Sequence, residues 1–157
     1  MTTPDESTLA RLAAEVKELG RALGFAKLGI SGVDLGADER RLDDWLAAGR
    51  HGAMEYMRRH GRKRTRPTDL VAGTVRVISA RMNYWPGPAR DARGVLADPR
   101  LGYVARYALG RDYHKVLRPR LERLARAIEK RAGAHGYRAF VDTAPVLEKA
   151  LARNAGL

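Results

Sequence analysis

The chain of 157 residues contains no cysteine. That absence removes disulfides, thiolate metal sites, a cysteine nucleophile and protein-ligated iron–sulfur clusters from what these residues can do. No apolar run approaches the roughly 20 residues that a membrane span needs. Internal repeats and low-complexity tracts are missing as well. The opening "MTTPDEST" is polar and acidic, without the basic and apolar regions of a signal peptide, so the expected address is cytoplasmic. No GxGxxG, Walker, GxSxG, HExxH or EF-hand pattern occurs. Acidic residues are in the minority: 18 Asp+Glu stand against 30 Lys+Arg, for a net charge of +12. Such an excess concentrates polyanions near the surface and makes their binding salt-sensitive.

What remains is the composition of a soluble globular domain, 45% hydrophobic and 31% charged. Its length suits one domain with a real core. Thr3-Pro4-Asp5-Glu6 reads as a helix start with Thr3 as cap, followed by Leu9, Leu12, Ala13, Val16, Leu19 and Leu23 at helical spacing up to Gly24. "FAKLGI" (25–30) predicts a short strand, and residues 38–48 a second helix turning Leu42, Trp45 and Leu46 inward. "TVRVISARM" (74–82) predicts a strand, "NYWPGPARDARG" (83–94) a loop and "LGYVARYA" (101–108) an extended segment. The longest helix is expected from Asp112 to Arg131, with Leu117, Leu121, Leu124 and Ile128 as its apolar stripe and Pro119 on its polar side. "YRAFVD" (137–142) predicts a third strand, and Ala144–Asn154 a last helix. This order gives the fold class: mixed α/β, a small sheet flanked by helices.

Three clusters carry candidate chemistry. "RRHGRKRTRP" (58–67) is the densest charge in the chain, with six Lys or Arg in its first nine residues. It reads equally as a solvated loop or as a polyanion grip. "GRDYHKVL" (110–117) groups Arg111, Asp112, Tyr113, His114 and Lys115 at a helix mouth. A phosphate can sit there, though Asp112 as a plain cap explains the pattern too. Asp142, just past the third predicted strand, is read first as a helix N-cap and second as a catalytic acid at a strand end. Tyr84 and Trp85 could stack on a base or a flat cofactor, or close a core edge.

Together, "GFAKLGIS", "HGAMEYMRRHGRKRTRP", "VRVISARMNY", "LGYVARYALGRDYHKVLRPRLERL" and "FVDTAPVLEKALARNAGL" resemble the N-terminal part of epoxyqueuosine reductase, in that family's order and spacing. The resemblance runs from about residue 7 to the last. It implies a cobalamin-dependent enzyme that reduces epoxyqueuosine to queuosine at the wobble position of tRNA with a GUN anticodon, using two 4Fe-4S clusters to recharge the cobalt. The family's proton donor lies in its V-D-[ST] motif, which implies that role, and a place against the cobalamin, for Asp142. Burial of such a carboxyl against the corrin keeps its proton near neutral pH. The family's cobalamin contacts imply the same for Arg64 and Ala105. Tyr107, Arg111, Tyr113 and His114 belong to a typical motif without an assigned role. Arg58, Arg59, Arg62, Lys63 and Lys149 are the implied tRNA contacts.

The resemblance also has gaps. Lys149-Ala150 stands where the family usually has Arg-Pro, so a guanidinium fork becomes a point charge. The family continues with a Gly-aromatic-x-Gly-Lys segment and a cysteine-rich cluster domain. The expectation is therefore a truncated N-terminal cobalamin-binding region, residues 1–157, monomeric, off the membrane and inactive alone. The alternatives are a stand-alone basic RNA-binding module, or a half-enzyme completed by a separate cluster-bearing chain. Reductive dehalogenases share the corrinoid chemistry, but "GRDYHKVL" and "HGAMEYM" resemble the tRNA enzyme more.

Overall fold

The computed structural model describes residues 5–85, 90–142 and 144–157. Helix α1 (Glu6–Ala22) leads into strand β1 (Lys27–Ser31), helix α2 (Gly36–Ala47), the short α3 (Tyr56–Arg59), a 3-10 turn (Gly61–Arg64) and α4 (Pro67–Leu70). Strand β2 (Val77–Arg81), α5 (Ala92–Ala97), a second 3-10 turn (Arg106–Ala108), α6 (Tyr113–Ala132) and α7 (Glu148–Asn154) follow.

The two strands pair antiparallel, with Leu28 opposite Ala80 and Ile30 opposite Ile78. Side chains alternate across a strand, so these four share one face. They meet the core there: Val16 from α1, Phe25, Leu28 and Leu124 from α6 are buried, with Leu12, Leu19, Leu117, Leu121 and Ile128 packed around them. The stripes read from the sequence for α1 and α6 are thus the faces that pack, except that Leu9 at the start of α1 is exposed. Gly20 lets α1 come close, because a Cβ there would stand 2.3 Å from a Leu28 methyl.

The opposite face of β1 carries Gly29 and Ser31 and takes α7. A Cβ on Gly29 would lie 2.5 Å from the carbonyl oxygen of Ala155, just past the end of α7. Leu151 of α7 is the most deeply buried side chain named in the core. Lys27 reaches the carbonyl of Gly156 at 2.7 Å. Two helices on one face and one on the other make the small sheet flanked by helices.

Three local expectations are corrected. Thr3 lies outside the described residues, and the cap of α1 is Asp5, whose carboxylate accepts the Thr8 N–H at 2.7 Å. "YRAFVD" forms no strand, and the sheet holds two strands among the described residues. Residues 137–141 lie across from His114, Arg118, Glu122 and Arg126, a row at every fourth position of α6, with a cavity of about 530 Å³ between them. Strand propensity reflects fit to a sheet surface rather than an intrinsic backbone preference, and facing a helix this segment has no ladder to join. Finally, α7 begins at Glu148 rather than Ala144, because Pro145 and the tie of Leu147 to Arg64 occupy the expected first turn.

Candidate functional site

Asp142 is the one non-glycine residue with positive φ among those described, at 57°. Asp tolerates this left-handed region better than most residues but still pays strain of order 1–2 kcal/mol there. It does not cap α7: the cap position belongs to Leu147, which makes no side-chain cap bond. Instead Tyr113 donates its hydroxyl hydrogen to Asp142 Oδ2. This bond heads the causes that push the Tyr113 phenol up to about 12, ahead of burial and the Asp142 charge. Tyr113 therefore stays a donor at any physiological pH. From the other side, the Glu148 carboxyl at the start of α7 lies close enough to feel the Asp142 charge. Burial, and then the Asp142 charge, raise the Glu148 pKa above the ordinary carboxylate value.

Tyr113 is placed by its helix. Asp112 caps α6, accepting the His114 N–H at 2.9 Å with the His114 Nδ1 3.0 Å away, so Tyr113 is the first helical residue. The bland reading of Asp112 holds, and it serves to aim Tyr113. The Tyr113 ring stacks on His114 at 4.1 Å and meets Tyr107 edge-on at 6.1 Å. Tyr107 in turn meets Tyr84 edge-on at 6.5 Å. Beside them Arg106 lies over the Trp85 ring at 4.9 Å and donates to the Arg90 carbonyl.

Residues from "NYWP", "YALGRDYHKVLR" and "VDTAPVLE" thus converge on one aromatic row ending at Asp142. Tyr84 and Trp85 do not close a core edge: 64% and 68% of their surface is open. Tyr107 is also exposed, as are Tyr103, Val104 and Leu109 around Ala105. Ala105 itself is exposed and precedes the 3-10 turn that carries Tyr107.

The basic run separates by environment. Arg64 is buried, and its guanidinium donates to the carbonyls of Tyr56 (2.8 Å) and Met57 (3.3 Å). Arg66 grips Glu39 with two bonds, at 2.8 and 3.0 Å, and Thr65 donates to the same carboxylate at 2.5 Å. Arg62 stands 3.9 Å from it. These partners, Arg66 first and Thr65 second, hold Glu39 down at about 2. Arg58 rests 3.3 Å from the buried His51 ring. The exposed side chains of Arg59, Lys63 and Lys149 make no hydrogen bond or ion pair among the described residues. The run is therefore part internal brace and part open cation surface.

Sequence reasoning missed the use of Glu148 and Glu39. Glu39 gave no signal, because the charge it neutralises lies far along the chain. For Glu148 the signal was an acid in the first turn of a helix, six residues after Asp142. Among the described residues no group of three or more His, Asp or Glu is arranged to hold a metal ion. No helix there is long and apolar enough to cross a membrane.

A family model described as "Epoxyqueuosine reductase QueG, DUF1730" matches residues 64–143, from the buried arginine to the residue after Asp142. The epoxyqueuosine reductase of Pseudomonas aeruginosa is 60% identical over 148 residues, covering 94% of this chain and 41% of its own length. That of Escherichia coli K12 is 50% identical over 149 residues, covering 95% and 39%. The chain thus spans about 40% of the length of the curated relatives it matches. Among solved structures, epoxyqueuosine reductase from Streptococcus thermophilus superposes with a TM-score of 0.68 at 25% identity, over 90% of this chain and 38% of that one. A selenomethionine-labelled epoxyqueuosine reductase gives 0.73 at 24% identity, over 94% and 39%, a likeness of fold.

Proposed function

Because the chain belongs to the epoxyqueuosine reductase family, we propose that it forms the N-terminal, cobalamin-binding region of a reductase that converts epoxyqueuosine to queuosine at the wobble position of tRNA. The observation that carries this reading is the aromatic row Tyr84–Tyr107–Tyr113 ending on a carboxylate held in left-handed backbone. Exposed along Tyr84 and Tyr107, with the Asp142 carboxylate at its end, such a row offers ring faces and edges to a macrocycle and a base laid over it.

Tyr107, Tyr84 and the exposed residues around Ala105 would hold the corrinoid. When bound, it supplies low-valent cobalt and with it the two electrons of the reduction. The epoxide loses its oxygen as water, which takes up two protons and leaves the alkene. Asp142 gives one of them. Tyr113 occupies Oδ2, so the transferable proton belongs on Oδ1, and the tyrosine hydroxyl then stabilises the carboxylate that remains. The second proton comes from solvent, which the open site admits. The 157 residues hold no thiolate and do not fit an iron–sulfur cluster, so electrons reach the site from a cysteine-bearing part or chain.

Arg64 braces the site from beneath, with its side chain on the Tyr56 and Met57 carbonyls and its own carbonyl on Leu147. Arg59, Lys63 and Lys149, with Arg58 and Arg62 beside them, would neutralise tRNA phosphates. That contact positions the RNA without reading its sequence, while the modified base is turned out of the anticodon loop towards Asp142. The working compartment of such a protein is the cytoplasm.

A cobalamin titration followed by visible absorbance tests this. Saturable binding, weakened in Tyr107→Ala and in Arg64→Ala, is expected. A folded chain that binds no corrinoid yet takes up tRNA in a salt-dependent way would replace the proposal with the RNA-binding module, which the net charge of +12 favours.

A further inference from the structure

The cavity between α6 and residues 137–141 takes no part in the chemistry described so far. Its α6 wall is the row that includes Arg118, Glu122 and Arg126, and its other wall carries Tyr137, Arg138 and Phe140. Three arginines thus line one space with a single carboxylate among them. Glu122 answers Arg118, at 3.4 Å. Arg126 and Arg138 make no hydrogen bond or ion pair among the described residues, and Arg138 lies over the Phe140 ring at 5.0 Å. A solvated helix face would spread its cations through water. Here two unanswered guanidiniums from separate segments border the same cavity, and a cleft lined by one sign of charge concentrates the opposite ion.

Both walls end at the same place. The α6 row begins at His114, whose ring stacks on Tyr113 at 4.1 Å. The other wall runs through residue 141 to Asp142, which accepts the Tyr113 hydroxyl. The groove therefore leads to the acid.

We propose that this groove is the bed of a single-stranded RNA segment, with Arg118, Arg126 and Arg138 on its phosphates and the Tyr137 ring against a base. From Arg118 to Arg126 the helix rises about 12 Å, so these cations meet a chain of phosphates rather than one compact anion. Tyr137 is exposed, and stacking on such a ring needs a base that is not already stacked in a duplex. An acidic protein would supply the charge but no flat face for the ring. That the strand is an anticodon loop, laid so that a base reaches Asp142, rests on the reductase reading; the affinity of the groove for RNA does not.

The test uses the 157-residue chain and a fluorescent anticodon stem–loop RNA with a GUN anticodon, followed by anisotropy across a salt series. Arg126→Ala and Arg138→Ala should each lower the slope of log affinity against log salt by about 0.7, which near 0.1 M salt is a loss of about fivefold. Arg123→Ala is the matched control: it removes the same charge from an exposed position of α6 outside the groove, and should cost less than about twofold. Tyr137→Ala should weaken binding with the slope unchanged, because stacking releases no counterions.

Equal losses at Arg123, Arg126 and Arg138 would overturn the proposal, since they would trace binding to the overall charge. A chain that takes up no RNA would do the same, as would a Tyr137→Ala variant that binds like the parent. A polyglutamate peptide bound more tightly than the RNA, with the same dependence on Arg126 and Arg138, would give the groove to an acidic protein instead. Failure of the reductase reading has a different signature, a chain that keeps this pattern of RNA binding and binds no corrinoid.

Discussion

Leu147 donates its N–H to the carbonyl of Arg64 at 3.1 Å. This one bond joins the basic run to the segment that follows Asp142, two stretches separated in sequence by more than half the chain. It fills a donor that a helix start leaves unpaired, and it explains why α7 begins where it does. Arg64 and Asp142, two of the three residues that the family resemblance marked as cofactor contacts, are thereby linked through one frame, although the Arg64 side chain turns into the protein.

The Tyr113 phenol offers a direct spectroscopic check. Its absorbance change on ionisation should have a midpoint near 12, and Asp142→Asn should bring it down towards the ordinary tyrosine value of about 10. Because the folded value is raised, the stabilisation is present below about pH 10 and is lost as the pH rises through about 12. A phenol that titrates at its ordinary value in the unaltered protein would break the Tyr113–Asp142 pairing.

Glu39 sets the acid side. Its folded value near 2 lies below the unfolded one, so its contribution is present above about pH 4.5 and fades as the pH falls towards 2. Glu39→Gln should flatten the acid limb of stability between those values, measured by circular dichroism. Unchanged acid unfolding in that variant would mean that the Arg66 pair contributes nothing.

Gly29→Ala should destabilise the fold by about 1–3 kcal/mol, since its methyl would strike the backbone of Ala155 rather than a movable side chain. For a chain of this size that corresponds to roughly 2–4 °C in melting temperature per kcal/mol. A calorimetric melt indistinguishable from the parent would show that α7 does not press on β1 as described.

For tRNA, the expectation differs residue by residue. Arg59→Ala and Lys63→Ala should each lower the slope of log affinity against log salt by up to about 1. Arg66→Ala should change it less, because that charge is already answered by Glu39. Equal effects at all three positions in a filter-binding series would contradict this division of the run.

Much of this arrangement was legible before any coordinates. The stripes of α1 and α6 fix their own buried faces, and Asp112 caps where its spacing says it should, because caps and stripes are local. Two things were not local. "YRAFVD" has strand-like residues, but whether a strand forms is decided by what lies beside it. Arg64 and Arg66 look like their neighbours in the run, and only the positions of the α3 carbonyls and of Glu39 distinguish a brace from a surface cation. Asp142 was singled out for chemistry only through the family motif; on spacing alone it was a cap, which the structure gives to Leu147 instead.

The division of the basic run has a practical edge in protease handling. Trypsin cuts after lysine and arginine where backbone is accessible and pliant. The bonds after Arg59, Arg62 and Lys63 follow exposed residues. Arg64 is enclosed, with its carbonyl committed to Leu147, and Arg66 precedes Pro67, a junction that trypsin passes over. A brief digest of the folded chain should therefore nick the first part of the run and stop short of Thr65, leaving a fragment boundary that marks where open surface gives way to frame.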